Sequence, residues 1–368
     1  MLRAPQVRRQ MSLPVRLERK RTSWHVAVNC QQEVPGGLRV LPPKTRRQTI
    51  MKKLATIVLV VLCVCALAVP ALAEEKYPSR PITYSIAFPP GGQSDLEARR
   101  QQPYLEEMLG QKVIIQYKPG GGGSICWADM VKQKPDGYFV AGINIPHIIL
   151  QPIERGNAGY ETEQIVPIAI FQATALGLAV MNDSPFKTVK DLVDYAKEHP
   201  GEIVAGGSGT WSGPHLAFLQ FSKLAGIKMT WIPYKGAAPG VAAFLGGHIK
   251  VTMGNSNDLV AHKDKIRVLA MGTEERFKHF PDTPTFIELG YDMTASVDRG
   301  MGGPPGFPEQ AVKVLEKACL DIASKPEVVE ALERDGFVVR KMNAAQTAAY
   351  IEKKKAELIP ILKEFKTK

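Results

Sequence analysis

Residues 203–215 read IVAGGSGTWSGPH, and this stretch decides the fold. It opens on the apolar run Ile203-Val204-Ala205, suited to a buried strand, and breaks into a glycine-rich segment over 206–213. From Pro214 it resumes with the mostly apolar run LAFLQFSKLAG. Gly213 can serve as N-cap and Pro214 as first helical residue, where proline's missing N–H is no loss. The unit is strand, glycine loop, helix. Such a loop presents free backbone N–H groups at the positive end of a helix, a site for an anion. One glycine-rich loop alone is commonly just a turn. Here the same device recurs at 88–95, FPPGGQSD.

The chain has 368 residues, room for two ordinary domains, and a formal net charge of +11. The excess is not spread evenly. Residues 1–73 hold 13 Lys+Arg and 2 Asp+Glu, which leaves 34 of each sign in the remainder. The body is therefore neutral, and the electrostatic case for nucleic acid fails. Met51-Lys52-Lys53, the apolar run LATIVLVVLCVCALAVP and Ala71-Leu72-Ala73 read as the three regions of a secretory signal, cleaved after Ala73 and followed by Glu74-Glu75. The alternative is an uncleaved anchor, since the run approaches the roughly 20 residues that span a bilayer. Leu62 and Val64 are too bulky to precede a lipidated cysteine at Cys63 or Cys65. Residues 1–50, arginine-rich and without pattern, read as an upstream extension from a start codon placed too early. Beyond the expected cut only Cys126 and Cys319 remain, either a pair or two small buried side chains.

The body alternates strand and helix. Strands are expected at 82–88, 113–117, 138–143, 165–171, 176–181, 229–234, 249–253 and 266–271. Ser94 or Asp95 can cap a helix that runs to Leu109, is kinked by Pro103 and is stopped by Gly110. Thr188 caps a helix over 189–198, a glycine-proline loop falls at 302–308, and helices over 309–324, 326–335 and 344–365 close the chain. The pattern is α/β, with two sheets of mainly parallel strands and no internal repeat.

Catalytic signatures are mostly absent. Thr210 stands where the G-x-S-x-G elbow requires glycine. Gly120 to Gly123 lack the ending of a phosphate-binding loop, and no acidic residue is placed for a ribose. His147, His199, His215, His248, His262 and His279 show no metal spacing. A serine hydrolase built from Ser208 or Ser212 with His215 and a remote Asp stays open as an alternative. No cofactor motif is present. What remains is a set of neutral, glycine-rich loops at strand-to-helix junctions, where ligands sit in open α/β sheets.

These pieces resemble a known family, the periplasmic substrate-binding proteins of tripartite tricarboxylate transporters, or Bug family. The resemblance rests on YPSRPI at 77–82, FPPGGQSD at 88–95, KPGGGGSI at 118–125 and PDGY at 135–138. It continues through GSGTWSGPH at 207–215, PYKGAAPG at 233–240, LGGHIKV at 245–251, PDTPTFIELG at 281–290 and PPGFPEQAV at 304–312. It implies a bilobal Venus-flytrap fold with the ligand between the lobes. Residues 74–174 and 295–368 would form one lobe and 175–294 the other. It also implies a small carboxylate ligand, no catalysis and delivery to the integral permease subunits of such a transporter, by a chain expected to act as a monomer. Gly91, Gly92, Ser94 and Asp95 correspond to the first lobe's loop. Gly209, Thr210, Ser212 and His215 correspond to the second. Phe88, Asn144, Trp211, Asn255 and Arg299 complete the expected ligand-binding set.

Departures from the family pattern are local. Gly254-Asn255-Ser256-Asn257 stands where an Asp is usual, the glycine usual at Cys126 is missing, and an asparagine common near residues 117–118 is absent. Arg299 lies at the return crossover, where many members have an aromatic or neutral residue. Asp95 reads as a helix cap that holds its loop, since its charge would repel a carboxylate. His215 could pack, or donate as a neutral imidazole near a helix N-terminus. Arg299 could be solvated, bridge the lobes, or meet an acidic group of the ligand. Trp127 and Trp231 read as core, and Trp211 as a cleft residue. Two alternatives of another class remain: a periplasmic enzyme on the same scaffold, and a sensor that hands its liganded form to a receptor.

Overall fold

The computed structural model describes residues 50–51, 53–59 and 77–366. The upstream extension at 1–49, the expected cleavage site and most of the apolar leader lie outside them. Among the described residues no helix is long and apolar enough to cross a membrane. Residues 74–368 group by their internal contacts as one unit, which carries the fold.

It begins with β1 (Ile82–Ile86), α1 (Gln93–Leu109), β2 (Val113–Tyr117), α2 (Ser124–Met130), β3 (Phe139–Ile145) and α3 (His147–Arg155). There follow β4 (Val166–Met181), α4 (Val189–Glu198), β5 (Val204–Ser208), α5 (Gly213–Leu224), β6 (Thr230–Tyr234) and α6 (Ala237–Leu245). Next are β7 (Val251–Asn255), α7 (Ser256–Ala261), β8 (Ile266–Met271) and β9 (Ser296–Gly303). The chain ends with α8 (Glu309–Ile322), α9 (Pro326–Arg334), β10 (Val338–Met342) and α10 (Ala344–Lys366).

The strands follow one path, β2-β1-β3-β9-β4-β7-β5-β6, with β10 and β8 also on β4. Both ends of the path are parallel, as the strand–loop–helix units require. The middle is antiparallel, so the sheet is mixed rather than mainly parallel. The reason is connectivity: β4 leaves the first half of the molecule, β9 returns beside it, and a strand that returns alongside its outgoing partner runs the other way.

β4 also merges two expected strands into one of sixteen residues. Up to Ala175 it pairs with β9 and β10; from Leu176 it pairs with β7 and β8. Each half packs its own core. Tyr84, Leu105, Phe171 and Leu315 belong to the first, and Leu178, Leu192, Phe221 and Phe286 to the second. Trp127 is fully buried with Ile148 and Ile351 in a further cluster, and Trp231 packs partly buried against the second half's core. Cys126 and Cys319 are buried and unpaired.

The helix starts differ in detail from expectation. Ser212, not Gly213, caps α5, its hydroxyl accepting the His215 N–H at 3.2 Å. Gly92 is the N-cap of α1, with no side-chain cap, and α1 runs through Pro103 to Gly110, a left-handed C-cap at φ 66°.

Candidate functional site

A small cleft of about 20 Å³ lies between the two halves of the sheet. Three helices begin at its walls. Gly92, Gln93 and Ser94 start α1 in the first half; Ala237 and Ala238 start α6 in the second; Pro214 lies in the first turn of α5. Neither α1 nor α6 has a side-chain cap. Their leading N–H groups have no intrahelical partner, and both positive ends face the same space.

The floor is β9. Alternation along the strand turns Val297 and Arg299 toward the cleft. Arg299 is 3% exposed. Its Nη1 donates to Thr174 Oγ1 at 2.8 Å and to the Val297 carbonyl at 3.1 Å, and its Nη2 donates to Asn255 Oδ1 at 3.1 Å. Its Nε–H has no partner. Burial pulls this guanidinium down to about 10, against the fields of Glu97, Asp258 and Asp298. A cation held by neutral groups, with a donor to spare, is matched to an anion.

Two more buried lining residues have an unpartnered polar atom. Gly213 N–H donates to His147 Nε2 at a long 3.4 Å, which leaves Nδ1 as the protonated nitrogen, and Nδ1 has no partner. Burial and the charge of Arg299 push His147 down to about 3, so it is a neutral donor. Asn144 donates through Nδ2 to Ser94 Oγ at 3.2 Å, and its Oδ1 is free. Such atoms are uncommon in folded proteins, and three around one cleft make it the candidate binding site.

Acidic groups stand behind this shell. Glu97 is 2% exposed, accepts the Tyr84 hydroxyl at 3.0 Å and is pushed up to about 8 by burial. Asp258 is raised to about 6 by burial, and its Oδ2 accepts Gln93 Nε2 at 2.5 Å across the cleft.

Of the expected ligand residues, Phe88, Gly92, Ser94, Asn144, Asn255 and Arg299 line the cleft. Gly91, Asp95, Gly209, Thr210, Trp211, Ser212 and His215 do not. Asp95 holds its loop: Oδ2 accepts the Gly91 N–H at 2.8 Å, while Oδ1 accepts Arg99 Nε at 2.8 Å and the Tyr117 hydroxyl at 2.6 Å. The loop after β5 is instead a contact face. Gln151 Nε2 donates to the Thr210 and Trp211 carbonyls at 2.9 and 3.0 Å, and a Cβ on Gly209 would sit 3.5 Å from Gly122 of the first half. Trp211 takes the left-handed conformation at φ 57°, its N–H donating to His215 Nδ1 at 3.1 Å.

These bonds also remove the serine-hydrolase geometry. The Ser212 hydroxyl donates to the Ser208 carbonyl at 3.1 Å, and His215 Nδ1 accepts a backbone N–H. The lining residues missed from the expected set include Gln93, His147, Ser208, Ala237 and Ala238. The signal for the last two was available, because KGAAPG at 235–240 is a third strand–glycine–helix junction.

Comparison with known proteins finds relatives that match this chain over most of its length. A relative from Cupriavidus necator, "UPF0065 protein in gbd 5'region", is 30% identical over 299 residues, 79% of this chain and 90% of its own. Protein BugT of Bordetella pertussis is 28% identical over 82% of this chain and 94% of its own. Among solved structures, periplasmic binding protein BugD matches with a TM-score of 0.74 and 25% identity, covering 78% of this chain and 98% of that one. An R. palustris protein solved with adipate matches with a TM-score of 0.74 and 25% identity, covering 78% and 97%. A family model described as "Tripartite tricarboxylate transporter family receptor" matches residues 97–366, and the chain belongs to that family.

Proposed function

We propose that this protein is an exported solute-binding receptor that captures a small organic carboxylate between two lobes, closes on it by hinge motion and delivers it to the permease of a tripartite tricarboxylate transporter. The observation that carries the reading is Arg299, buried among neutral partners with an unpartnered Nε–H, between the uncapped starts of α1 and α6. A carboxylate accepts from the guanidinium and from the helix N-termini, and the His147 N–H offers a further donor. The adipate-bound relative supports the ligand class. Residues 74–174 with 295–368, and 175–294, would be the lobes. The change of β4 partners between Ala175 and Leu176 supports that division. The leader would be cleaved after Ala73, which N-terminal sequencing of protein from the native envelope checks.

A thermal-shift panel tests the reading. A ligand bound only by the folded, closed state stabilises it by about 2.7 kcal/mol at a hundredfold excess over Kd. At least one mono- or dicarboxylate is expected to raise the melting temperature by several degrees, with sugars and cationic amines inert. A sugar that shifts the melt while every acid fails overturns the carboxylate reading.

Closure has its own probe in Gln151, whose amide ties the first half to the Thr210–Trp211 backbone. Gln151→Ala removes two neutral hydrogen bonds that join the two halves and that hinge opening would break. It is expected to weaken ligand retention by about 1 kcal/mol, roughly fivefold, mostly as faster dissociation. Stopped-flow release rates check this, and an unchanged rate assigns those bonds no part in closure.

A further inference from the structure

The cleft holds little charge. Among the described residues, Arg299 is the one charged side chain that lines it. His147 is neutral, Glu97 keeps its proton at pH 7, and Asp298 is matched by Arg340 at 3.1 Å. Asp258 is the exception. Three amides hold its carboxylate, Gln93 at 2.5 Å, Asn257 at 3.2 Å and Asn255 at a longer 3.4 Å, and Asn255 in turn accepts from Arg299. Its value of about 6 leaves it ionised at pH 7. Arg299 and Asp258 therefore offset one another through Asn255. What is left is the starts of α1 and α6, worth about half a positive charge each. One negative charge balances the site; two do not.

We infer that the site selects an acid with a single carboxylate, its far end uncharged, and that Asp258 is the residue that turns dicarboxylates away. The inference rests on the carboxylate reading proposed above. Position supports it as well as charge. A side pocket of about 10 Å³ adjoins the cleft and shares Ser208, Pro214, Ala237 and Asn255 with it. Its further walls include Val241, Met253 and Asp258. A ligand whose carboxylate sits on Arg299 extends into this pocket. A methyl group there meets Val241 and Met253, and a hydroxyl donates to Asp258. A second carboxylate there meets a like charge in a space with little water, the costliest arrangement for both. Nor does it have a way out to solvent. The Gln93–Asp258 bond spans the cleft, and Gly236 lies against Pro89, where an added Cβ would come within 3.0 Å. Both ends of a short acid stay inside.

Pairs of acids that differ by one carboxylate test this by calorimetry at pH 7, where both groups of a diacid are ionised. Propanoate is set beside propanedioate, hexanoate beside hexanedioate, benzoate beside 1,4-benzenedicarboxylate, and any acid found in the thermal panel beside its counterpart. In every pair that binds, the monoacid is expected to be tighter by about tenfold or more, the mark of one unmatched buried charge. Asp258→Asn keeps an oxygen for Gln93 and removes the charge. It is expected to close most of that gap, with circular dichroism to confirm folding. A diacid that equals or outbinds its monoacid on wild type overturns the inference and leaves the carboxylate reading standing. An unchanged gap in folded Asp258→Asn overturns the part assigned to Asp258. The wild-type comparison decides the charge limit whether or not the variant folds. Silence of every pair and of the thermal panel rejects the carboxylate reading itself.

Discussion

Arg299→Met is expected to abolish ligand binding while leaving the melting temperature of the unliganded protein unchanged or higher. The two halves of this result have one cause. Arg299 is buried, its hydrogen bonds go to Thr174, Asn255 and a carbonyl, and burial already weakens its hold on the proton. A charge taken out of water with only neutral hydrogen-bond partners, and with Glu97, Asp258 and Asp298 acting on it through their fields alone, carries a desolvation penalty of several kcal/mol, which an apolar side chain of similar length does not. Thr174 and Asn255 stay satisfied without it, because Thr174 Oγ1 donates to Asn255 Oδ1 at 3.0 Å. Binding is another matter. Truncating one partner of a buried, hydrogen-bonded charge pair costs about 2–5 kcal/mol, roughly thirtyfold to several thousandfold in Kd. Calorimetry with the acid found in the thermal panel, beside melts of the unliganded variant, checks both. Arg299→Lys keeps the charge but loses the planar fork, and is expected to fall between. Full binding by the methionine variant would leave the helix N-termini as sole anchors; a collapsed melting temperature would make Arg299 structural.

The strand–loop–helix units were legible because their signals are local. Glycine runs, Pro214 and the apolar flanks of residues 203–226 act within a dozen residues, and the structure has strand and helix on either side. β9 was not legible. Ser296–Gly303 reads SVDRGMGG, three glycines and two charges, and local propensity makes that a loop. It is a buried strand because its neighbours come from far along the chain: a Cβ on Gly300 would lie 1.9 Å from the Ala169 carbonyl, so only glycine fits between β3 and β4. β4 read as two strands for a related reason, since its partners change midway while its apolar pattern continues.

The site was legible only in part. Both glycine loops were found, but which of them lines the cleft depends on how the halves meet. The loop after β5 rests against Gly122 and Gln151, while the start of α6 takes the place expected for it. His147 lies in α3, a helix not expected, and its role comes from a Gly213 contact 66 residues away. No periodicity reports such a contact. Arg299 was recognised as out of pattern, yet a sequence does not show whether an arginine is solvated, bridged or buried.

Glu97→Gln is expected to melt well above wild type at pH 8 and level with it below pH 4.5. Glu97 is buried on α1, with the Tyr84 hydroxyl on one oxygen and Arg299, Arg100 and Cys319 as its other charged or titratable neighbours. Burial raises its carboxyl from 4.5 to about 8. A folded-state value above the unfolded one means the folded protein holds the extra proton between those limits. The stability this group contributes is complete below 4.5 and is lost as pH rises through about 8. At about 1.4 kcal/mol per unit, the loss by pH 8 is on the order of 4 kcal/mol, of which about 2 falls above pH 6.5. Asp258, raised to about 6, has the same sign but is spent at lower pH. His147 and His215, lowered by burial to about 3 and 4, have the opposite sign: their contribution is present above 6.5 and lost as pH falls through those values. Above pH 6.5 Glu97 is the one of these four that still titrates, so melts at pH 6.5 and 8 isolate it. Gln101, one turn along α1, has a buried side-chain oxygen without a partner, an acceptor open to the amide as to the acid. Arg299 supplies the cross-check, because its field is the largest that opposes the burial of Glu97. In Arg299→Met that opposition is gone and the folded-state value climbs further. Wild type then levels off above pH 8 while the methionine variant keeps losing stability. Equal wild-type melts at pH 6.5 and 8, with no gain from Glu97→Gln, would mean that Glu97 is ionised in the folded protein.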